Sequence, residues 1–291
     1  MRQFNLGISK LLGIGVELSL YIPAGLLTAY AAVFKPNYDP NLSEINVKRK
    51  EEIRENAAIL LIHGSGFNEM GFCIGRWFLQ GGRFSEPENG YKGAVYSLNY
   101  NKSLLKQDKD KGIDDVVMEK IRPKILQMVK ETGQNKVILI GHSMGGLLAT
   151  YYAEYCALED EVQVEKIIAI GTPFKGAPLL CLLDTTKCKS DAHMTIYSKF
   201  RKKMIHRIRE NVRIRNLGKE KPVEYYCFGS TLDHCVPIPH CFLNGSAKAQ
   251  NIIVEDVCHN SLIISPFVWK TINKILQEQY IHHIINGNFI N

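Results

Sequence analysis

Lys136-Val137-Ile138-Leu139-Ile140-Gly141-His142-Ser143-Met144-Gly145-Gly146-Leu147-Leu148-Ala149-Thr150 is the stretch that decides the fold of this 291-residue chain. Its first five residues form an apolar, β-branched run of the kind that fills a strand buried on both faces. From Leu147 onward the residues favour helix. Between the two lies Gly141-x-Ser143-x-Gly145, a strand–turn–helix junction in which small residues are needed twice. The serine must adopt a strained backbone, and the helix must pass close to the strand it has just left. Such a turn holds the Ser143 hydroxyl out at the carboxyl end of a sheet, where the N-terminus of the following helix favours developing negative charge. Ser143 is the candidate nucleophile, and His142 reads as a packing neighbour.

Outward from this junction the same kind of strand recurs at Ala57–Ile62, Gly93–Leu98, Val164–Ile170, Val223–Phe228 and Asn251–Val257. Helical patterns lie between most of them. Ile113, Val117, Ile121, Ile125 and Val129 form an apolar stripe at four-residue spacing, with Pro123 as an expected irregularity. Alternation of this kind predicts an α/β fold with a doubly wound, mainly parallel sheet. The alternation breaks between Gly171 and Pro222, and a gap of that length is expected to hold a helical insertion, about residues 174–222, above the strand ends.

Acyl transfer from a serine needs donors for the oxyanion, a base and an acid. The Met144 N–H, directly after the nucleophile, is one candidate donor. The loop His63-Gly64-Ser65-Gly66 after the first strand offers the Ser65 N–H as the other, with His63 positioning the loop. In the chain order Ser, acid, His, the loop after Tyr225–Phe228 brings Asp233 and the loop after the last strand brings His259. Asp184, early in the insertion, and Asp256, close before His259 and read as still on the strand, are the rival acids.

Four segments now carry a resemblance: His63-Gly64-Ser65-Gly66, Gly141–Gly145, Gly171-Thr172-Pro173-Phe174-Lys175-Gly176-Ala177-Pro178, and His259-Asn260-Ser261-Leu262. From about Ala57 to Glu278 the chain resembles the bacterial triacylglycerol lipases and the GPI-inositol-deacylase-like serine esterases. The resemblance implies the α/β-hydrolase fold and an activity on carboxylic esters, of glycerides or phospholipids, through Ser143, Asp233 and His259. Transfer of the acyl group to another alcohol is a variant of that chemistry, and a membrane-anchored binding protein that keeps the fold without turnover is the reading from a different class. In those families Gly171-Thr172-Pro173 borders the acyl pocket and leads into the lid, and a Gly stands before the final His where this chain has Cys258.

The net charge of +7 does not mark a nucleic-acid binder, because 10 Lys/Arg against 2 Glu between Lys199 and Lys221 place +8 in one segment. There Phe200, Met204, Ile208 and Val212 recur every four residues among Lys202, Lys203, Arg207 and Arg209. This basic amphipathic helix is either a lid that meets anionic lipid or a solvated helix packed on the core. No cofactor and no metal are expected: His234, Cys235, His240 and Cys241 match no common zinc spacing. Cys181 with Cys188 and Cys235 with Cys241 are near enough to close small loops in an oxidising compartment, and buried free thiols are the alternative.

Residues 1–40 form a separate apolar segment and linker ahead of the domain at 41–291. Leu11–Phe34 is long enough to span a bilayer, and Arg2 and Lys10 before it would leave the catalytic domain outside the cytoplasm, with membrane association as the consequence. A helix packed on the enzyme, for which Glu17 argues, and a cleaved signal ending near Ala29-Tyr30-Ala31 are the other readings.

Overall fold

A computed structural model describes residues 51, 53–65, 67–79, 90–100, 110–181, 188–218, 222–244 and 248–277. The apolar segment Leu11–Phe34, Asp184 and Gly66 lie outside the described residues. Six strands, β1 (Ala58–Ile62), β2 (Val95–Leu98), β3 (Lys136–His142), β4 (Gln163–Ile170), β5 (Glu224–Ser230) and β6 (Ala249–Val254), form one sheet in the order β2-β1-β3-β4-β5-β6. Every pairing is parallel. These are the six runs marked by their apolar, β-branched sequence.

A parallel sheet must be covered on both faces, and the side chains divide with the period of the strand. Leu60, Ile62, Leu139, Ile167 and Tyr225 point to one face, Ile59, Leu61, Ile138, Ile140, Ile168 and Phe228 to the other. The second face is covered by α1 (Cys73–Leu79) and, from the far end of the chain, by Trp269 and Ile272 of Pro266–Leu276. On the first face lies a long helical run made of α2 (Ile113–Val116), a π-helical turn (Val117–Ile121) and α3 (Arg122–Thr132). The π turn sits immediately before Pro123, so the irregularity expected at the proline is a widened turn that lets the apolar stripe continue.

The same face also receives α4 (Met144–Tyr155), which carries the junction after β3, and α6 (Lys199–Gly218), which follows the short α5 (Lys189–Met194). The basic segment is thus a helix, and its apolar side is spent on the core: Met204 and Ile208 are buried in the cluster that contains Leu148 and Tyr152 of α4. Arg201 is buried with it, donating from Nη1 to Phe174 O at 2.7 Å and from Nη2 to Ile196 O at 2.9 Å. Of the two readings of this helix the packed one describes Met204 and Ile208, while Lys202, Lys203, Arg207 and Arg209 are exposed. Val212 is in the helix, with its side chain outside what is described.

A short α7 (Ile238–Cys241) and the closing α8 (Pro266–Leu276) complete the set of helices labelled among the described residues. Cys235 and Cys241 are free thiols, as is Cys188, so neither small loop is closed by a disulfide. Cys241 Sγ donates to Val236 O, and the His240 ring bonds Gly176 O, so both have packing roles.

A buried carboxylate ties three elements together. Glu154, in the last turn of α4, accepts from the Tyr225 hydroxyl of β5 and from Asn211 Nδ2 of α6, each at 2.6 Å. Buried polar groups are tolerated only when so satisfied. Replacing Glu154 by Ala leaves the Tyr225 hydroxyl without its acceptor, and urea unfolding is expected to show a loss of roughly 2–4 kcal/mol, with ester turnover per folded molecule unchanged. A loss below about 0.5 kcal/mol, the range of an ordinary surface change, would mean that this clamp does not hold α4 and α6 together.

Candidate active site

The strand order reverses direction between β1 and β3, and in open α/β sheets ligands bind outside the carboxyl ends of the strands at such a point. Both candidate loops leave the sheet there. Ile62 pairs with Gly141, so the loop after β1 and the turn after β3 start side by side.

Ser143 has φ 53 and ψ −121, in a region that side chains other than glycine rarely adopt. Its N–H donates to Ile170 O at 2.8 Å, anchoring the turn on β4, and its carbonyl accepts from the Gly146 N–H at 3.1 Å. Two glycines allow the crowding. A Cβ on Gly145 would stand 2.0 Å from the carbonyl oxygen of Ile62, and one on Gly64 would stand 3.0 Å from the Ser143 Cβ. The oxyanion-loop candidate therefore presses directly on the nucleophile candidate.

His63 holds that loop. Its ring stacks on Tyr100 with centroids 3.9 Å apart, Nδ1 meets Gly64 O at 2.8 Å, and the Tyr100 hydroxyl donates to His63 O at 2.8 Å. Burial pushes its pKa down to about 4, so it is neutral and serves as a fixed spacer. His142 is likewise buried, and burial, with His259 nearby, holds its pKa well below the ordinary value. A carbonyl accepts only, so the 3.1 Å contact between His142 Nε2 and His259 O makes Nε2 the protonated nitrogen. His142 is the packing neighbour that its place in the motif suggested, and it supports the His259 loop from beneath.

The loops after β5 and β6 bring Asp233 and His259 together. His259 Nδ1 lies 2.7 Å from Asp233 Oδ2, and the other carboxylate oxygen accepts from the Val236 N–H at 2.7 Å. The Asp233 side chain is shut off from solvent by these contacts. Ser230, at the end of β5, accepts through its hydroxyl from the Leu232 and Val257 N–H groups at 3.4 and 3.2 Å, so one side chain pins both loops. Sequence reasoning missed Ser230, and a lone serine at a strand end carries no signal by which to find it. The rival Asp256 is exposed on a bend beyond the end of β6, at φ 54, and its N–H bonds Thr231 Oγ1. It is off the strand, contrary to expectation, and its positive φ turns the chain between β6 and His259. Asp184 lies outside the described residues.

Ser65, Ser143 and His259 line one cleft with Phe67, Pro173, Ala177, Leu179, Leu180, Met194 and Val236. Three polar side chains, His142, Asp191 and Asn260, complete the walls together with Cys235. The wall opposite the sheet comes from the segment after β4 and from α5. Among the described residues no group of side chains assembles a metal site, and no helix is long and apolar enough to cross a membrane.

Comparison with known proteins agrees with this architecture. The Arabidopsis thaliana protein named phospholipase A(1) LCAT3 is 30% identical over 89 residues, 31% of this chain and 19% of the relative, so the match spans about a fifth of that protein. Among solved structures, the lin2722 gene product of Listeria innocua superposes with a TM-score of 0.53 at 21% identity, covering 77% of this chain and 94% of the other. Aspergillus fumigatus lipase B gives 0.53 at 16% identity, covering 77% and 53%. The mature Bacillus licheniformis lipase BlEst2 gives 0.51 at 16%, covering 76% and 92%. These likenesses are of fold. Residues 56–221, more than half of the chain, match the PGAP1-like alpha/beta domain family, a match that includes Ser65 and Ser143 and ends before Asp233. This chain belongs to that family, and it has the α/β-hydrolase fold of the lipases on which it superposes.

Proposed function

We propose that the chain hydrolyses carboxylic esters of lipids through a covalent acyl intermediate on Ser143. The observation that carries the reading is the 2.7 Å contact between His259 Nδ1 and a buried, otherwise satisfied Asp233, in the wall of the cleft that holds Ser143. With Nδ1 bonded to the carboxylate, Nε2 of His259 is the basic nitrogen. It takes the Ser143 proton as Oγ attacks the ester carbonyl, and the Ser65 and Met144 N–H groups receive the oxyanion. When the tetrahedral species collapses, the C–O bond to the alcohol breaks and the alcohol leaves with the proton from His259. Water then attacks the acyl-enzyme by the same route in reverse. Asp233 fixes the ring and balances the imidazolium.

The lipid part of the reading rests on the apolar cleft walls and on the name of the Arabidopsis relative. Membrane association belongs to the same proposal. Residues 1–40 are an anchor and linker, the hydrolase unit runs from 41 to 291, and the anchor holds it on the far side of the bilayer from Arg2 and Lys10. Ile53, 2% exposed within the core of the sheet, supports a folded unit that starts beyond the apolar segment. The exposed Lys202, Lys203, Arg207 and Arg209 of α6 suit a surface of anionic lipid.

A fluorophosphonate probe is expected to label the protein at Ser143, and Ser143→Ala to abolish both labelling and ester turnover with the fold intact by circular dichroism. Turnover retained by the purified variant would overturn the assignment. Asp233→Asn removes the anion that holds the His259 ring, and kcat is expected to fall by on the order of a thousandfold or more. A mild effect there, with a severe one from Asp184→Asn, would move the acid into the insertion.

Expressed from Asn41 onward, the protein is expected to be soluble and to turn over short dissolved esters at the full-length rate while losing most activity on bilayers. Neutralising Lys202, Lys203, Arg207 and Arg209 should then weaken vesicle binding by about 1 kcal/mol per charge. Inactivity of the shortened protein on dissolved esters would show that residues 1–40 are part of the fold, and unchanged vesicle binding would place the basic face in water only.

A further inference from the structure

Asp191 is the one carboxylate among the described residues that line the cleft, and the proposed ester cleavage does not use it. The acid that partners His259 is Asp233, whose two oxygens are both occupied. Asp191 stands instead on α5, across from the strand ends. It lies three residues before Met194, and the two share the face of α5 that lines the cleft. Lys189 and His193, four apart, hold the neighbouring face. Lys189 Nζ pairs with Asp115, and His193 Nδ1 accepts from the Ile113 N–H at 3.3 Å. The His193 ring is stacked on Phe200 of α6 at 3.9 Å, and Phe200 on Tyr151 of α4 at 5.6 Å. The orientation of α5 is therefore set by α2 and α6, the latter resting in turn on α4, and with it the presentation of Asp191.

The cleft that Asp191 lines has Phe67, Leu179, Leu180 and Met194 among its apolar walls. An acid in such a wall loses hydration, and burial pushes its carboxyl above the usual carboxylate range. Among the described residues, no Lys or Arg forms an ion pair with it. A wall group of this kind disfavours an anion in the cleft and stabilises a cation, and the Phe67 ring adds a surface on which a positive group can rest.

We infer that Asp191 is a specificity-determining residue that selects ester substrates bearing an ammonium group in the part that enters the cleft. The inference rests on the reading of Ser143 as the nucleophile and deepens it by naming the substrate class. The competing role is local: Asp191 is in the first turn of α5 and receives a hydrogen bond from the Cys188 thiol at its N-terminus, which would stabilise the helix without touching substrate.

The test uses two fluorophosphonates of identical shape, one ending in a trimethylammonium group and the other in a tert-butyl group, with the rate of Ser143 labelling measured by mass spectrometry on the full chain. The charged probe is expected to label about tenfold faster or more. Asp191→Asn should bring the two rates together, by slowing the charged probe far more than the neutral one. The preference of the native protein should be present above the pKa of Asp191 and vanish as pH falls through it, at a value above that of an ordinary aspartate. Equal rates in the native protein, or a preference that survives Asp191→Asn, overturns the inference. Equal slowing of both probes in the variant also overturns it and assigns Asp191 to the helix. Failure of both probes to label Ser143 is a different result: it removes the nucleophile, and the inference with it.

Discussion

The turn at Ser143 is the constraint from which the rest of the site follows. A serine at φ 53 carries backbone strain of roughly 1–3 kcal/mol and persists only where its surroundings over-determine it. Here they do so from three sides. β4 accepts the Ser143 N–H through Ile170 O, α4 begins at the next residue, and Gly145 rests on the carbonyl oxygen of Ile62 in β1. Two of these anchors are backbone groups of strands buried in the sheet and the third is the helix packed on that sheet, so the turn cannot relax without disturbing the core. Strain held in this way leaves the hydroxyl displayed rather than packed, which is what an attacking group needs.

The acidic side chains of the interior show how differently one chemical group can be placed. Glu154 and Asp233 are both buried, and both have each oxygen occupied by a donor from another element. The first joins helix, strand and insertion, and its work is cohesion. The second accepts from a backbone N–H and from the His259 imidazole, so its work is orientation. Asp191 is placed in neither way: it faces a cleft with apolar walls. The energetic distinction lies in how fully the protein compensates the charge: at both oxygens in two cases, and in the third by the Cys188 thiol, with the cleft left to a ligand.

Much of this was legible in the sequence because the constraints are local. Six strands buried on both faces must be apolar runs, and a helix cannot follow Ser143 at such close quarters without Gly141 and Gly145, so β1 to β6 and the nucleophile turn leave plain marks. Reading Asp233 rather than Asp256 as the acid rests on chain order, and the 2.7 Å contact of Asp233 with His259 is in keeping with it, whereas the place of Asp256 beyond β6 at positive φ is something no propensity reveals. What the residues could not tell is which surface a stripe meets. Phe200, Met204 and Ile208 have the spacing of a lid and of a packed helix alike, and only the course of the chain through Arg201 and Asn211 assigns Met204 and Ile208 to the core. Asp191 was overlooked for the same reason, since a six-residue helix with one acid has no periodicity to read.

The division between β4 and β5 has a mechanical meaning. Bond cleavage is assigned to loops that end strands β1, β3, β5 and β6, whose positions are fixed by the sheet. Discrimination falls to the segment inserted after β4, which can change its cleft-facing residues without altering a strand or the Ser143 turn. α5 is coupled back to the catalytic side all the same, through His193, Phe200 and Tyr151, the last of which lies on the helix that begins at Met144. A wall held by that stack presents its carboxylate at a set place relative to Ser143. Selection by a fixed charge costs no reorganisation when substrate arrives, whereas selection by closure would require α5 to leave its contacts with α2 and α6.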